Sequence, residues 1–191
     1  IGTAFLDFCG NNMSSLVIGK SYSTIDLGYY NRGNMLPETI GLNVYNAINS
    51  ALLPTLASHQ NNSDELKYMT RKIMSLSVYI IFPLMFGLIG ISDILIPVIL
   101  TDRWISIIPL MNIFCLYYAI NPIRAIGYNV FFAKGESRLC VLIEVLRFSL
   151  MLLCLIVVVF LIKGSVYFLL LTNFIVSIIV VLVTQFLLQK F

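Results

Sequence analysis

A chain of 191 residues that is 59% hydrophobic and only 11% charged is not a soluble domain, in which charged residues make up about 25%. It reads as an integral membrane protein. Its formal net charge of +3 is too small, and its basic residues too scattered toward helix ends, to suggest a nucleic-acid partner.

The chain begins at Ile1, with no basic leader and no small-residue cleavage site. That reads as part of a longer protein, already inside a membrane domain. About 20 apolar residues cross the hydrocarbon of a bilayer, and six spans can be laid out on that measure. The first covers about residues 1–19, with Asp7, Asn11 and Ser14 on one face. The second, about residues 26–57, organises the rest. At 100° per residue, Asn31, Asn34, Glu38, Tyr45 and Asn49 fall in one stripe, and Arg32, Thr39, Asn43, Asn46 and Ser50 in a second beside it. Leu36, Ile40, Val44, Ala47 and Ala51 take the opposite arc. Such a helix needs something wet on one side, and in so apolar a chain that is an internal cavity. At ~1.5 Å per residue it is also longer than a membrane is thick. Pro37 removes a backbone bond to Gly33, which predicts a bend.

The third span covers about residues 72–90, with Pro83 inside it. Residues 91–104 contain Pro97 between Asp93 and Asp102, and read as a separate interfacial helix and turn with Trp104 at headgroup level. The fourth span, about residues 107–132, is expected to break near Asn121-Pro122. The fifth and sixth cover about residues 139–162 and 166–188, the last being the most uniformly apolar. Lys67, Arg71, Lys72, Lys134, Arg138 and Lys190 lie at one set of span ends and Lys20, Arg103 and Lys163 at the other. Six against three places the loops around 58–72 and 133–138 in the cytoplasm. Residue 1 then starts on the cytoplasmic side, and any preceding part holds an even number of spans.

Charges at membrane depth are the informative ones, since each costs about 2.5–3.5 kcal/mol to insert unless paired or hydrated. Asp7, Arg32, Glu38, Arg124, Glu144 and Arg147 qualify. Glu144 and Arg147 are three residues apart and are placed to pair along one helix. Arg124 has no acidic neighbour in its own helix. Either it meets a carboxylate, phosphate or pyrophosphate ligand, or it ties to Glu38 or Asp7 across the bundle. Arg32 either faces inward or snorkels to the surface. Tyr22, Tyr29, Tyr30, Tyr45, Tyr117, Tyr118 and Tyr128 gather in the helices read as cavity-lining. Tyrosine rings stack on sugars, but interface anchoring is the better reading of Tyr22, Tyr29 and Tyr30.

Several enzyme signals fail. Gly19-Lys20-Ser21 resembles the end of a phosphate-binding loop, but Ser14 stands where that loop needs glycine. His59 is the single histidine, which excludes a His-rich metal site or a Ser-His-Asp triad within these residues. The sequons at Asn12 and Asn61 are discounted, one being in a span and one on the predicted inner side. The basic stretch after Ser63 reads as a helix start on a solvated surface. Cys9, Cys115, Cys140 and Cys154 have neither metal-ligand nor redox spacing and read as buried free thiols.

The stretch LGYYNRGNMLP, from Leu27 to Pro37, and the Asn-rich helix running to LLPTLAS, from Leu52 to Ser58, resemble the polysaccharide transporter family. These are the Wzx-type flippases of the multidrug/oligosaccharidyl-lipid/polysaccharide exporter superfamily. FPLMFGL from Phe82, Arg103-Trp104, Ile108-Pro109-Leu110 and the Ala133-Lys134-Gly135-Glu136 turn are similar to the same family in the same order. The resemblance implies an all-α bundle of about six transmembrane helices, the C-terminal lobe of two pseudo-symmetric lobes facing each other across a cavity. It implies a multi-pass protein of the bacterial inner membrane, with membrane lipids and an N-terminal lobe of the same protein as partners. The implied activity is transport rather than catalysis, without cofactor or metal. Undecaprenyl-diphosphate-linked oligosaccharide would be flipped to the outer leaflet by alternating access.

Under that resemblance Arg32, Arg124 and Arg147 are candidate contacts for the diphosphate. Asn43, Tyr45 and Asn46 are candidates for the glycan, and Asp7 or Glu144 for a coupling proton. The alternatives are a multidrug/cation antiporter of the same superfamily, a membrane-embedded glycan polymerase or transferase, and a non-transporting scaffold. The first needs a compact acidic site and the second a large extramembrane catalytic loop.

Overall fold

The computed structural model describes residues 2–58, 63–162 and 164–189; the side chains of residues 2–11, 49, 51–58, 63–64, 66, 133 and 160–162 are outside that description. Six α-helices alternate in direction: α1 (Gly2–Ser21), α2 (Thr24–Ser58), α3 (Ser63–Leu100), α4 (Ile108–Ala133), α5 (Ser137–Ile156) and α6 (Val166–Gln189). A 3₁₀ segment, Asp102–Ile107, leads into α4, and a π-helical segment, Val157–Ile162, extends α5. No strand occurs among the described residues. Helices α3 to α6 are each long and apolar enough to cross a membrane. The fold is an all-α polytopic transmembrane bundle.

Two expected interruptions are absent. Residues 91–100 do not form a separate interfacial helix; α3 runs through both Pro83 and Pro97 for 38 residues, or about 57 Å. Each proline forfeits one backbone bond, and Pro97 lies only three residues before the helix end. The expected turn shrinks to Thr101, whose φ of 76° puts a β-branched residue in left-handed space, and to the 3₁₀ segment carrying Trp104. Likewise α4 does not open at Asn121-Pro122. Pro122 is buried in a helix held between α3, α2 and α6, and that packing outweighs one missing bond. Helix α2 also continues across Pro37. Lys67, Arg71 and Lys72 sit on the first turns of α3 rather than in a loop.

The core is built on α4, the most enclosed of the four apolar spans. One end of the bundle packs Met85, Leu88 and Ile96 of α3 and Tyr30 of α2 against Leu110, Met111 and Phe114 of α4. Toward the other end, Tyr128 and Phe131 meet Cys140 and Ile143 of α5 and Val176 and Val180 of α6. Cys115 and Cys140 are buried free thiols and Cys154 is half-buried; the side chain of Cys9 is outside the described residues. At the first end Tyr22 Oη donates to the Gly164 carbonyl at 2.7 Å, and Tyr167 Oη to that of Ser106 at 3.0 Å. Burial, and secondarily the Asp26 charge, raises the Tyr22 phenol above its ordinary range, so it stays a donor.

The Ala133-Lys134-Gly135-Glu136 turn closes α4. Gly135 takes φ 76°, while the Glu136 N–H donates to Phe131 O at 2.9 Å and the Gly135 N–H to Phe132 O at 3.1 Å. That is a Schellman cap, and the left-handed position calls for glycine. Close helix approach makes a second demand. A Cβ at Gly127 would lie 2.6 Å from Thr184 Cγ2 of α6. Gly127→Ala is therefore expected to destabilise the bundle by about 1–3 kcal/mol through overpacking. Gly28→Ala, with nothing within 4 Å of its Cβ, should cost no stability. Unfolding midpoints of the two variants in detergent test the contrast.

Candidate functional site

The inner stripe of α2 opens onto a cavity of about 430 Å³ in the bundle. Asn31, Asn34 and Glu38 line it from α2, with Tyr30 alongside. Asn12, Ser14 and Ser15 line it from α1, and Phe114, Tyr117 and Tyr118 from α4. Arg147 of α5, and Asn173 and Ser177 of α6, complete the polar part of the wall, with Met151 of α5 beside them. Its size falls in the usual range for small-molecule sites.

The lining is cross-braced. Asn34 Nδ2 donates to Glu38 Oε2 at 2.9 Å, and Asn173 Nδ2 to Ser14 Oγ at 3.4 Å, tying α6 to α1. Tyr30 meets Phe114 edge-on at 5.1 Å, and Tyr117 meets Tyr118 at 5.3 Å. Asn34 Oδ1 is buried with no hydrogen-bond partner among the described residues. A buried acceptor of that kind is normally satisfied by water or a ligand donor. The back of α2 is apolar: Leu36, Ile40 and Val44 pack into the core. A close approach at Gly41, whose added Cβ would lie 2.9 Å from Tyr118 Cδ1, seats α2 against α4.

At the α5 wall lies an ion cluster. Glu144 is fully buried, and its Oε1 accepts from Nε and Nη2 of Arg147. Its Oε2 accepts from Tyr128 Oη at 2.8 Å and from Arg124 Nη1 at 3.4 Å. Arg124 is further held by Asn121 Oδ1, 3.1 Å from Nη2, and lies 5.4 Å from the Tyr128 ring centre. Two guanidiniums share one carboxylate, and Arg147 brings the cluster to the cavity wall. No cluster of His, Cys, Asp and Glu able to hold a metal occurs among the described residues.

The residues singled out from the sequence are thus dispersed. Arg147 lines the cavity and pairs with Glu144 as the spacing predicts. Arg124 stands behind the wall, tied to Glu144. Arg32 is exposed at the far end, 5.7 Å from the Trp104 ring, with Nη1 3.5 Å from Met35 Sδ. Asn43 and Asn46 are exposed on the outer stripe of α2 together with Arg32, Thr39 and Ser50, whereas Tyr45 is half-buried. The side chain of Asp7 is outside the described residues, as is His59. Tyr30 is not an interface anchor: only 8% exposed, it is part of the cavity wall. Asn12, Ser15, Asn173 and Ser177 were missed as site residues. Asn173 and Ser177, four apart on the largely apolar α6, carried a helical-face signal that the high average hydropathy of that span hid.

The family described as "Polysaccharide biosynthesis protein" (Polysacc_synt_3) matches residues 1–109. The lipopolysaccharide biosynthesis protein WzxC of Escherichia coli K12 is 24% identical over 124 residues, 65% of this chain and 25% of that protein. The teichuronic acid biosynthesis protein TuaB of Bacillus subtilis 168 is 21% identical over 130 residues, 68% of this chain and 27% of that protein. An uncharacterized membrane protein in the cps region of Klebsiella pneumoniae is 21% identical over 138 residues, 72% of this chain and 28% of that protein. The chain therefore spans about a quarter of the length of these curated relatives. No solved structure matches.

Removing the shared acceptor should be the most damaging change at the cluster. Glu144→Ala leaves two guanidiniums facing an empty site and is expected to cost roughly 3–5 kcal/mol. Arg124→Ala should cost clearly less, because Glu144 keeps Arg147 and Tyr128. Denaturation of both variants in detergent checks the order; equal losses would contradict it.

Proposed function

This chain belongs to the polysaccharide biosynthesis protein family of Wzx-like transporters, and on that footing we propose that it is the C-terminal lobe of a two-lobed flippase. The cargo is undecaprenyl-diphosphate-linked oligosaccharide, moved across the bacterial inner membrane by alternating access. One observation carries this reading. Arg32, Thr39, Asn43, Asn46 and Ser50 form an exposed polar stripe on α2, about 27 Å long. A stripe of that length cannot lie against lipid tails without large cost. It needs a wet or polar neighbour at membrane depth, and a cavity between this lobe and an N-terminal one supplies it. The inner cavity opens beside the same helix.

In this reading the positive end of the cavity attracts the diphosphate, with Arg147 as the contact and Arg124 holding the cluster in place. Arg32 marks the opposite end of the path. Asn43, Asn46 and Tyr45 offer amides and a ring to the glycan as it passes. Glu144 is committed to two arginines and a phenol, which favours Glu38 as the carboxylate free to exchange a proton or cation with the cavity, alongside Asp7. Glu38 is also what favours the second reading, a cation antiporter, since it is an acidic group on the cavity wall.

The test is flipping of a labelled lipid-diphosphate oligosaccharide by the complete protein in proteoliposomes. Wild type should flip it, and Arg147→Ala should slow it by about tenfold or more, the loss of one charge-assisted contact, with monodisperse protein retained. An Asn43→Leu/Asn46→Leu variant should slow it while leaving the fold intact. Glu38→Gln should flatten the dependence of rate on an imposed pH gradient. Wild type that exchanges organic cations for protons but moves no lipid-linked glycan would favour the antiporter.

A further inference from the structure

At the end of the bundle opposite the rim of Lys67, Arg71 and Lys134, Arg32 lies over the ring of Trp104, its Cζ 5.7 Å from the ring centre. Trp104 is the one tryptophan of the chain, and the fold holds it still. It sits in the 3₁₀ segment after α3, donates its N–H to the Thr101 carbonyl at 3.1 Å, and packs half-buried against the core. Tyr29, three residues before Arg32 on α2, meets the indole edge-on at 5.9 Å. A second contact of the guanidinium is from Nη1 to Met35 Sδ at 3.5 Å, and a thioether is a weak acceptor. The depth is also defined. Helix α2 has 35 residues, about 52 Å against a hydrocarbon core of about 30 Å. With the helix centred, Arg32 lies about 12 Å from its start, near the boundary between hydrocarbon and headgroups.

An exposed arginine is rich in rotamers, and ordering it on a ligand costs affinity. Resting on a fixed indole, Arg32 is ordered before any ligand arrives. Attraction to the ring face leaves the in-plane N–H groups able to take an oxyanion, bidentately where geometry allows. From this arrangement we propose that Arg32 binds a phosphate or diphosphate group at this end of α2, and that Trp104 is the positioning residue that holds the guanidinium for it. Phosphate is the oxyanion found at this depth, on a bilayer headgroup or on a lipid-linked diphosphate. A place for the site on a transport path rests on the proposed flippase reading; phosphate binding and the role of Trp104 do not.

The test is fluorine NMR of the complete protein in a phosphate-free detergent, in a background lacking the native cysteines. A trifluoromethyl tag on Gly28→Cys reports from one turn before Arg32, where an added Cβ meets nothing within 4 Å. Titration at fixed ionic strength with inorganic pyrophosphate, undecaprenyl-diphosphate-linked oligosaccharide or phosphatidylglycerol should shift the resonance saturably. Arg32→Gln should raise the half-saturating concentration by about tenfold or more. Trp104→Leu should raise it by roughly three- to fivefold, and Trp104→Phe should recover most of that loss. In the Arg32→Gln background Trp104→Leu should have no further effect, whereas a merely structural effect would add. Saturation by the lipid-linked diphosphate puts the site on the transport path; saturation by phosphatidylglycerol alone supports the site as a headgroup contact and removes it from that path. No saturable shift with any of the three, or an unchanged midpoint in Arg32→Gln, would overturn the proposal. Additive losses would overturn the positioning role of Trp104.

Discussion

The structure depends most on a single carboxylate. Glu144 is fully buried at membrane depth, where an unpaired charge costs about 2.5–3.5 kcal/mol even on the mildest scale. It is tolerated because both oxygens are occupied, one by Arg147 on its own helix and the other by Arg124 and Tyr128 on α4. The arrangement is reciprocal: the glutamate also holds both arginines. It joins α4 to α5 where a polar cavity would otherwise weaken the packing between them. It also sets a guanidinium in the cavity wall.

Helix α2 solves the complementary problem. It has to be apolar toward α4, polar toward the inner cavity and polar again on its exposed side. Three arcs of one helix do this: Leu36, Ile40 and Val44 in the core, Asn34 and Glu38 in the cavity, and Asn43 and Asn46 outward. This division was legible in the sequence, because helical periodicity depends on residue spacing alone and survives any tertiary arrangement. The Glu144–Arg147 pair was legible for the same reason.

What was not legible depended on neighbours distant in the chain. Prolines at positions 97 and 122 look like breaks in isolation, yet long helices packed or held in lipid carry them through. The partner of Arg124 is twenty residues away, on another helix, and no local pattern selects Glu144 over Glu38. Tyr30 has the composition of an interface anchor, but the α2–α4 approach buries it against Phe114. Asn173 and Ser177 disappeared into the high average hydropathy of α6, although their spacing puts both on the face that completes the cavity. The two ends of the bundle differ in kind as well. One is closed by tyrosine hydroxyls donating to carbonyls, and the other carries the basic rim of Lys67, Arg71 and Lys134.

The central claim is that a wet polar surface runs along α2 at membrane depth while its opposite arc is sealed in the core. The most direct measurement is the labelling of single cysteines along α2 by a membrane-impermeant thiol reagent. The complete protein would be used in membranes, in a background lacking the native cysteines. The account predicts fast labelling at positions 34, 38, 43 and 46 and protection at 36, 40 and 44. Uniform protection of all seven, or labelling at 36, 40 and 44 as fast as at the polar positions, would contradict it.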